Sequence, residues 1–166
     1  MTNDDMDAIK SALEYAKDDN INLTIMGLKK VGNYALAGIS NIKSLKLTDT
    51  EEIGKFAIAD NKTLQVFEAP KLRTIYSGAF LDCTYLQTLR FGPIEYAEEF
   101  YSPIFDNGTE YSIDLILSSD QKELKEDRNG SLWEASQTPY ADSYDHNTKH
   151  FVNNYFKSII CGHSKH

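Results

Sequence analysis

Three consecutive blocks of this 166-residue chain align without a gap at a period of 22: VGNYALAGISNIKSLKLTDTEE (31–52), IGKFAIADNKTLQVFEAPKLRT (53–74) and IYSGAFLDCTYLQTLRFGPIEY (75–96). Apolar residues fall in columns. Val31, Ile53 and Ile75 match, as do Ala35, Ala57 and Ala79, then Leu36, Ile58 and Phe80. Further along come Ile42, Leu64 and Leu86, then Leu45, Phe67 and Leu89, then Leu47, Ala69 and Phe91. The phase extends upstream through Leu23, Ile25 and Leu28, and downstream through Ile94 and Ala97. A stretched fourth block, PIFDNGTEYSIDLIL (103–117), places Leu115 and Leu117 in the strand columns after several inserted residues.

A fixed period of this length constrains the fold strongly, because one unit cannot bury its own apolar side and neighbours must cover it. Each block holds a short alternating core, LKL, FEA, LRF or LIL, with the period of a strand. One strand per 22 residues, all running the same way, stacks into a parallel sheet at roughly 4.8 Å per coil. The expectation is an α/β solenoid: a short right-handed coil with a parallel β-sheet, treated as one domain over 1–166. Ala35, Ala57 and Ala79 mark where the returning arm packs too closely for a larger side chain. With Phe80, Cys83, Leu86 and Leu89 they form the expected structural core.

The residues Ala79, Phe80, Cys83, Leu86, Leu89, Phe91, Ile94 and Ala97 follow the pattern A-F-x-x-C-x-x-L-x-x-L-x-apolar-x-x-apolar-x-x-apolar. This pattern resembles the BspA-like class of leucine-rich repeats, and Pro70 stands where that class often has proline. The likeness covers about residues 23–117. Leu36 and Ile58 replace the usual Phe, and Ile39 and Asn61 the usual Cys, which weakens individual repeats. The resemblance implies a non-enzymatic interaction or adhesion module of a bacterial surface or secreted protein. Its partner would be a protein ligand such as a host surface or matrix protein, or a glycan. It also implies an extracellular or cell-surface location, with an export signal removed from this sequence; a cytoplasmic location is the alternative.

Composition agrees without deciding the compartment. The formal charge of −8 and pI near 4.9 argue against a nucleic-acid partner, which would need a clustered basic face. No run approaches twenty apolar residues, so no transmembrane span and no membrane insertion are expected. Two cysteines are too few for a disulfide framework.

The ends differ from the repeats. Residues 1–22 are expected to form an N-terminal cap, with a helix over 4–19 that lines Met6, Ile9, Leu13 and Ala16 along one stripe. Asn3 or Asp4 would cap its start. Residues 118–166 turn polar, with turn signals at RNG and TPY, then apolar again at HFVNNYFKSIICG. They are expected to form an irregular C-terminal cap ending in a strand, closed by Trp133, Phe151, Tyr155, Phe156 and Ile159. The spacing of Phe151, Val152, Tyr155, Phe156 and Ile159 also suits a helix.

Chemistry is scarce. Cys83 shares a column with Ile39 and Asn61, a buried turn position where Asn or Cys can bond the neighbouring coil's backbone and Ile can only pack. All four histidines (146, 150, 163 and 166) lie in the C-terminal region, away from Cys83, so a nucleophile with an adjacent base is not expected. Cys83 and Cys161 are expected to be free thiols. His146 and His150 are spaced as half a zinc site, but Pro139 and many turn formers make solvated loop histidines the better reading. DNGTE and DRNGS lack calcium-loop spacing. No metal, cofactor or catalytic residue is expected.

Binding would fall on the outward strand columns. One reads Thr24, Lys46, Glu68, Arg90 and Ile116; its neighbour reads Asn22, Ser44, Val66, Thr88 and Asp114. The candidate partner-binding residues are Lys46, Val66, Glu68, Thr88, Arg90 and Ile116, with Val66 and Ile116 expected to be exposed. The competing reading is a charge ladder that satisfies itself and merely keeps the face soluble. Tyr96, Tyr101, Tyr111, Tyr140 and Tyr144 offer a second surface. The alternative function is a structural spacer or a carbohydrate-contacting accessory domain.

Overall fold

The computed structural model describes residues 3–18, 20–98, 104, 113–118 and 156–161. It shows coils stacked at the period of the sequence. In the first sheet β1 (Ile21–Ile25), β3 (Ile42–Leu47), β5 (Val66–Ala69), β7 (Thr88–Phe91), β9 (Ile113–Leu117) and β10 (Phe156–Cys161) lie side by side in that order, all pairings parallel. The register steps by 22 residues, pairing Leu23 with Leu45, Leu45 with Phe67 and Phe67 with Leu89.

The last rung is stretched in two places. The Phe80 N–H reaches the Ile104 carbonyl, which puts Ile104 in the alanine column. Thr88 then pairs with Asp114, and Leu89 with Leu115, as the spacing predicts. The C-terminal strand exists as β10 and extends the sheet beside β9, with Ile159 opposite Leu115. The side chains of Trp133, Phe151, Tyr155, Phe156 and Ile159, and residues 119–155 and 162–166, lie outside the described residues.

A second sheet was not expected. It consists of four two-residue strands, β2 (Lys30–Val31), β4 (Glu52–Ile53), β6 (Thr74–Ile75) and β8 (Tyr96–Ala97), paired in parallel. Its apolar members are the Val31, Ile53, Ile75 and Ala97 column. Each coil therefore has two straight arms with the core between them. Gly92 shows how closely neighbouring coils approach: a Cβ there would lie 2.7 Å from the backbone of Leu72.

The core runs the length of the stack. Phe67, Phe80 and Phe91 are buried, with Phe67 edge-on to Phe80 at a ring separation of 4.8 Å and to Phe91 at 6.3 Å. Ala57, Ala79, Leu86 and Leu89 are buried as expected. Ala35 is only half-buried, although it shares their column, because it belongs to the first coil and has a covering neighbour on one side only. Helix α1 (Asn3–Tyr15) closes that end by adding Met6 and Leu13 to the core. It is shorter than predicted: Asn3 is already helical and Ala16 lies beyond its end. The Asn41 side-chain amide donates to the Leu13 carbonyl and ties the helix to the coil below.

The corner between the sheets carries backbone strain in fixed columns. Tyr34, Phe56 and Gly78 occupy one column with φ of 60°, 54° and 69°, and Gly38, Asp60 and Asp82 another with φ of 74°, 59° and 58°. A left-handed residue with a Cβ costs about 1–2 kcal/mol, so the aromatics need compensation. They find it in stacking: Tyr34 lies over Phe56 at 5.2 Å and 12°, worth about 0.5–1.5 kcal/mol. A Cβ on Gly78 would fall 2.4 Å from the Phe56 ring, so the missing side chain lets that ring lie down. The glycine in each column, joined in the second by Asp60 and Asp82, is the sequence sign of this geometry.

Candidate functional site

The buried cysteine is structural. Cys83 is fully buried, and its thiol donates to the Ile58 carbonyl one coil upstream at 3.2 Å. Asn61, in the same column, donates to the Leu36 carbonyl at 2.8 Å. The column thus performs one task with two chemistries, and Ile39 only packs. Burial pushes the Cys83 thiol up to about 12, opposed by the Asn61 backbone and reinforced by Asp60 and Asp82. A thiol that stays protonated is a poor nucleophile. The side chain of Cys161, and His146, His150, His163 and His166, lie outside the described residues. Among the described residues no group of three His, Cys, Asp or Glu could hold a metal, and no helix is long and apolar enough to cross a membrane.

In a Cys161→Ser background, Cys83 is expected to label with a thiol reagent only at the rate at which the protein opens. Its folded pKa lies above the ordinary value of 9.0, so its contribution to stability is complete below about pH 9 and is lost as pH rises towards 12. Stability should fall by up to about 1.4 kcal/mol per pH unit over that window. The fall should be shallower in Cys83→Ala, as measured by urea titration.

The outward columns form a continuous face along the six-stranded sheet. The register places Thr24, Lys46, Glu68, Arg90 and Ile116 in line, with Ser44, Val66, Thr88 and Asp114 beside them. Lys46 and Arg90 are exposed; Val66, Glu68, Thr88 and Ile116 are half-buried. The exposure expected for Val66 and Ile116 is therefore reduced, because each sits between neighbouring strands on both sides. Glu68 is shared between Lys46 at 3.7 Å and Arg90 at 3.9 Å. Contacts this long between exposed groups stabilise by less than about 1 kcal/mol each. The ladder exists, but a ligand can exchange it at little cost.

Further ion pairs link successive coils on the second sheet and in the turns that lead to it. Lys30 meets Glu52 at 2.8 Å, Lys71 meets Asp49 at 2.7 Å and Arg73 meets Glu95 at 2.6 Å, all one period apart. Lys71, the Gly27 N–H and the Thr48 hydroxyl together hold the Asp49 carboxyl well below the usual carboxylate range. These short contacts tie successive coils together and leave little for a partner.

At one margin of the strand face lies an open depression of about 450 Å3, lined by Thr84, Tyr85, Leu86, Gln87, Thr88, Asp114 and Lys157. Sequence reasoning named only Thr88 among these as a binding residue. Tyr85 is 64% exposed, and Lys157 sits where the β10–β9 register slips between Phe156 and Ser158. Bulges of this kind re-aim side chains. Only the exposed turn position of Tyr85 could have signalled the depression, since the insertion before Asp114 hides which residues meet. Of the tyrosines proposed as a second surface, Tyr96 is half-buried against Tyr76 at 5.9 Å. Tyr101, Tyr111, Tyr140 and Tyr144 lie outside the described residues.

A family model described as BspA type Leucine rich repeat region matches residues 10–126 in six copies. No curated protein and no solved structure matches the chain.

Proposed function

The chain belongs to the BspA-type leucine-rich repeat family, and from that premise we propose that it is a non-enzymatic adhesion module of a bacterial surface or secreted protein. Repeat scaffolds of this kind generally mediate protein interactions, using the extended surface their stacking creates. The observation that carries the reading is the line of Lys46, Glu68 and Arg90 held one strand apart on the face of the six-stranded sheet. Val66, Thr88 and Ile116 complete the surface. Its ligand is a protein, of host surface or matrix type, that supplies its own charged groups in place of the weak ladder.

Arrays of purified matrix proteins and of glycans provide the test. For a protein that binds, Glu68→Lys and Arg90→Glu should each weaken binding by about tenfold or more, equivalent to about 1.4 kcal/mol. Arg90 is exposed and Glu68 half-buried, so each variant should stay folded, with a melting temperature somewhat lowered because each substitution sets like charges on adjacent strands. Unchanged affinity in both variants would remove this face from the interaction. The depression beside Tyr85 favours a second reading, a carbohydrate contact, because it combines an aromatic face with hydroxyl, amide and charged groups. A glycan hit that Tyr85→Ala abolishes would select it.

A further inference from the structure

The end of the six-stranded sheet at β1 is built unlike its other strands. β3 carries Lys43 and Lys46, β5 Glu68, β7 Arg90, β9 Asp114 and β10 Lys157, whereas β1, INLTI, carries no charge. Natural proteins guard an edge strand with charge, proline or a covering element. β1 has no charge or proline of its own, and helix α1, which caps the core at this end, makes no hydrogen bond to its outward main-chain groups among the described residues.

Its inner side is fully engaged. The Ile21 N–H donates to Asn41 and the Ile25 carbonyl accepts from the Thr48 N–H. By strand alternation, the N–H and C=O groups of Asn22 and Thr24 point away from β3. No described residue bonds to them. The apolar side chains here are also the least covered: Leu23 is half-buried, while Leu45, Phe67, Leu89 and Leu115 in its column are buried. Tyr15, Met26 and Tyr34, exposed by 87%, 73% and 60%, belong to α1 and the first coil.

Two occupants suit an open edge of this kind, a second copy of the chain or a strand from another protein, and charge decides between them. Helix α1 carries Asp4, Asp5, Asp7 and Glu14 against Lys10, a net of −3. It stands beside β1, since Asn41 bonds both Leu13 and Ile21. Pairing β1 with its own copy would bring two such helices to one interface, and like charges repel there. A segment carrying lysine or arginine is instead attracted.

We propose that the outer edge of β1 captures an extended, basic segment of another protein, which joins the sheet as an added strand. Main-chain bonds to Asn22 and Thr24 supply the register, and apolar side chains cover Ile21 and Leu23. This site is separate from the strand face and uses neither Glu68 nor Arg90.

The test uses the full chain and two labelled synthetic peptides, Thr-Lys-Val-Lys-Ile-Lys-Val and its counterpart with Glu in place of Lys. Fluorescence anisotropy should show the lysine peptide binding about tenfold or more tightly than the glutamate peptide, less so at high salt. Thr24→Pro deletes an outward N–H at a position where an edge strand tolerates proline, and should cost about tenfold in affinity. Glu68→Lys should leave peptide binding unchanged. Hydrogen exchange on the unaltered chain should slow at Asn22 and Thr24 when the lysine peptide is added, a readout that stands even if Thr24→Pro fails to fold. Equal affinity for the two peptides, no binding of either, or protection elsewhere would overturn the proposal. So would a concentration-dependent dimer seen by light scattering, which would assign the edge to a second copy.

Discussion

Replacing Phe67 with alanine is expected to lower stability by about 3–5 kcal/mol, read as a shift in urea midpoint at unchanged slope. Phe67 is fully buried at the centre of the stack and touches the rings of Phe80 and Phe91. Those rings also face each other, at 6.0 Å. Removing the middle ring leaves a cavity between coils that the stiff sheet cannot close. A domain of this size has about 5–15 kcal/mol in total, so one ring carries a large share. The same truncation at Leu23 should cost less than half as much, although it occupies the same column. Leu23 is half-buried, with helix α1 rather than a further coil beside it among the described residues. A difference between equivalent positions of one column is what a one-dimensional stack requires, and a conventional globule has no reason to show it.

The period made most of the fold legible before any coordinates. It set the register of β3, β5 and β7, and it identified Ala57, Ala79, Phe80, Leu86 and Leu89 as core. It also explained Cys83, whose thiol bonds the coil upstream as Asn61 does. What the period could not show follows from physical limits. Two-residue strands such as Glu52–Ile53 are too short for alternation to reveal, so the second sheet was visible only as a column of apolar residues. Ala35 looks identical to Ala57 in sequence and differs only in having fewer neighbours. The left-handed backbone at Tyr34 and Phe56 is paid for by stacking between residues 22 apart. No local rule predicts an aromatic there.

The candidate site was partly legible. The spacing places Lys46, Glu68 and Arg90 in one line across strands, and the register has them side by side with long ion pairs between them. The depression beside Tyr85 is hidden in the sequence because it joins β7 to β9 across residues that break the 22-residue period, and then to Lys157, some 69 residues beyond Thr88. Sequence periodicity says nothing about such contacts. The open edge at β1 was missed for another reason: absence of charge becomes informative only once the strand is known to be terminal.

Residues 23–97 stack as interchangeable 22-residue coils, and an insertion tests this. A second copy of residues 46–67 placed after Phe67 keeps every column in phase and adds one coil, lengthening the molecule by roughly 4.8 Å. Stability in such a stack is a sum of coil and interface contributions. The lengthened protein should therefore unfold cooperatively, at a urea midpoint equal to or above that of the parent. An 11-residue insertion at the same point, a copy of 57–67, drives turn residues into a buried strand and throws the later columns half a period out. It should abolish the cooperative transition. Loss of folding in the 22-residue insertion, or equal tolerance of both, would contradict the account.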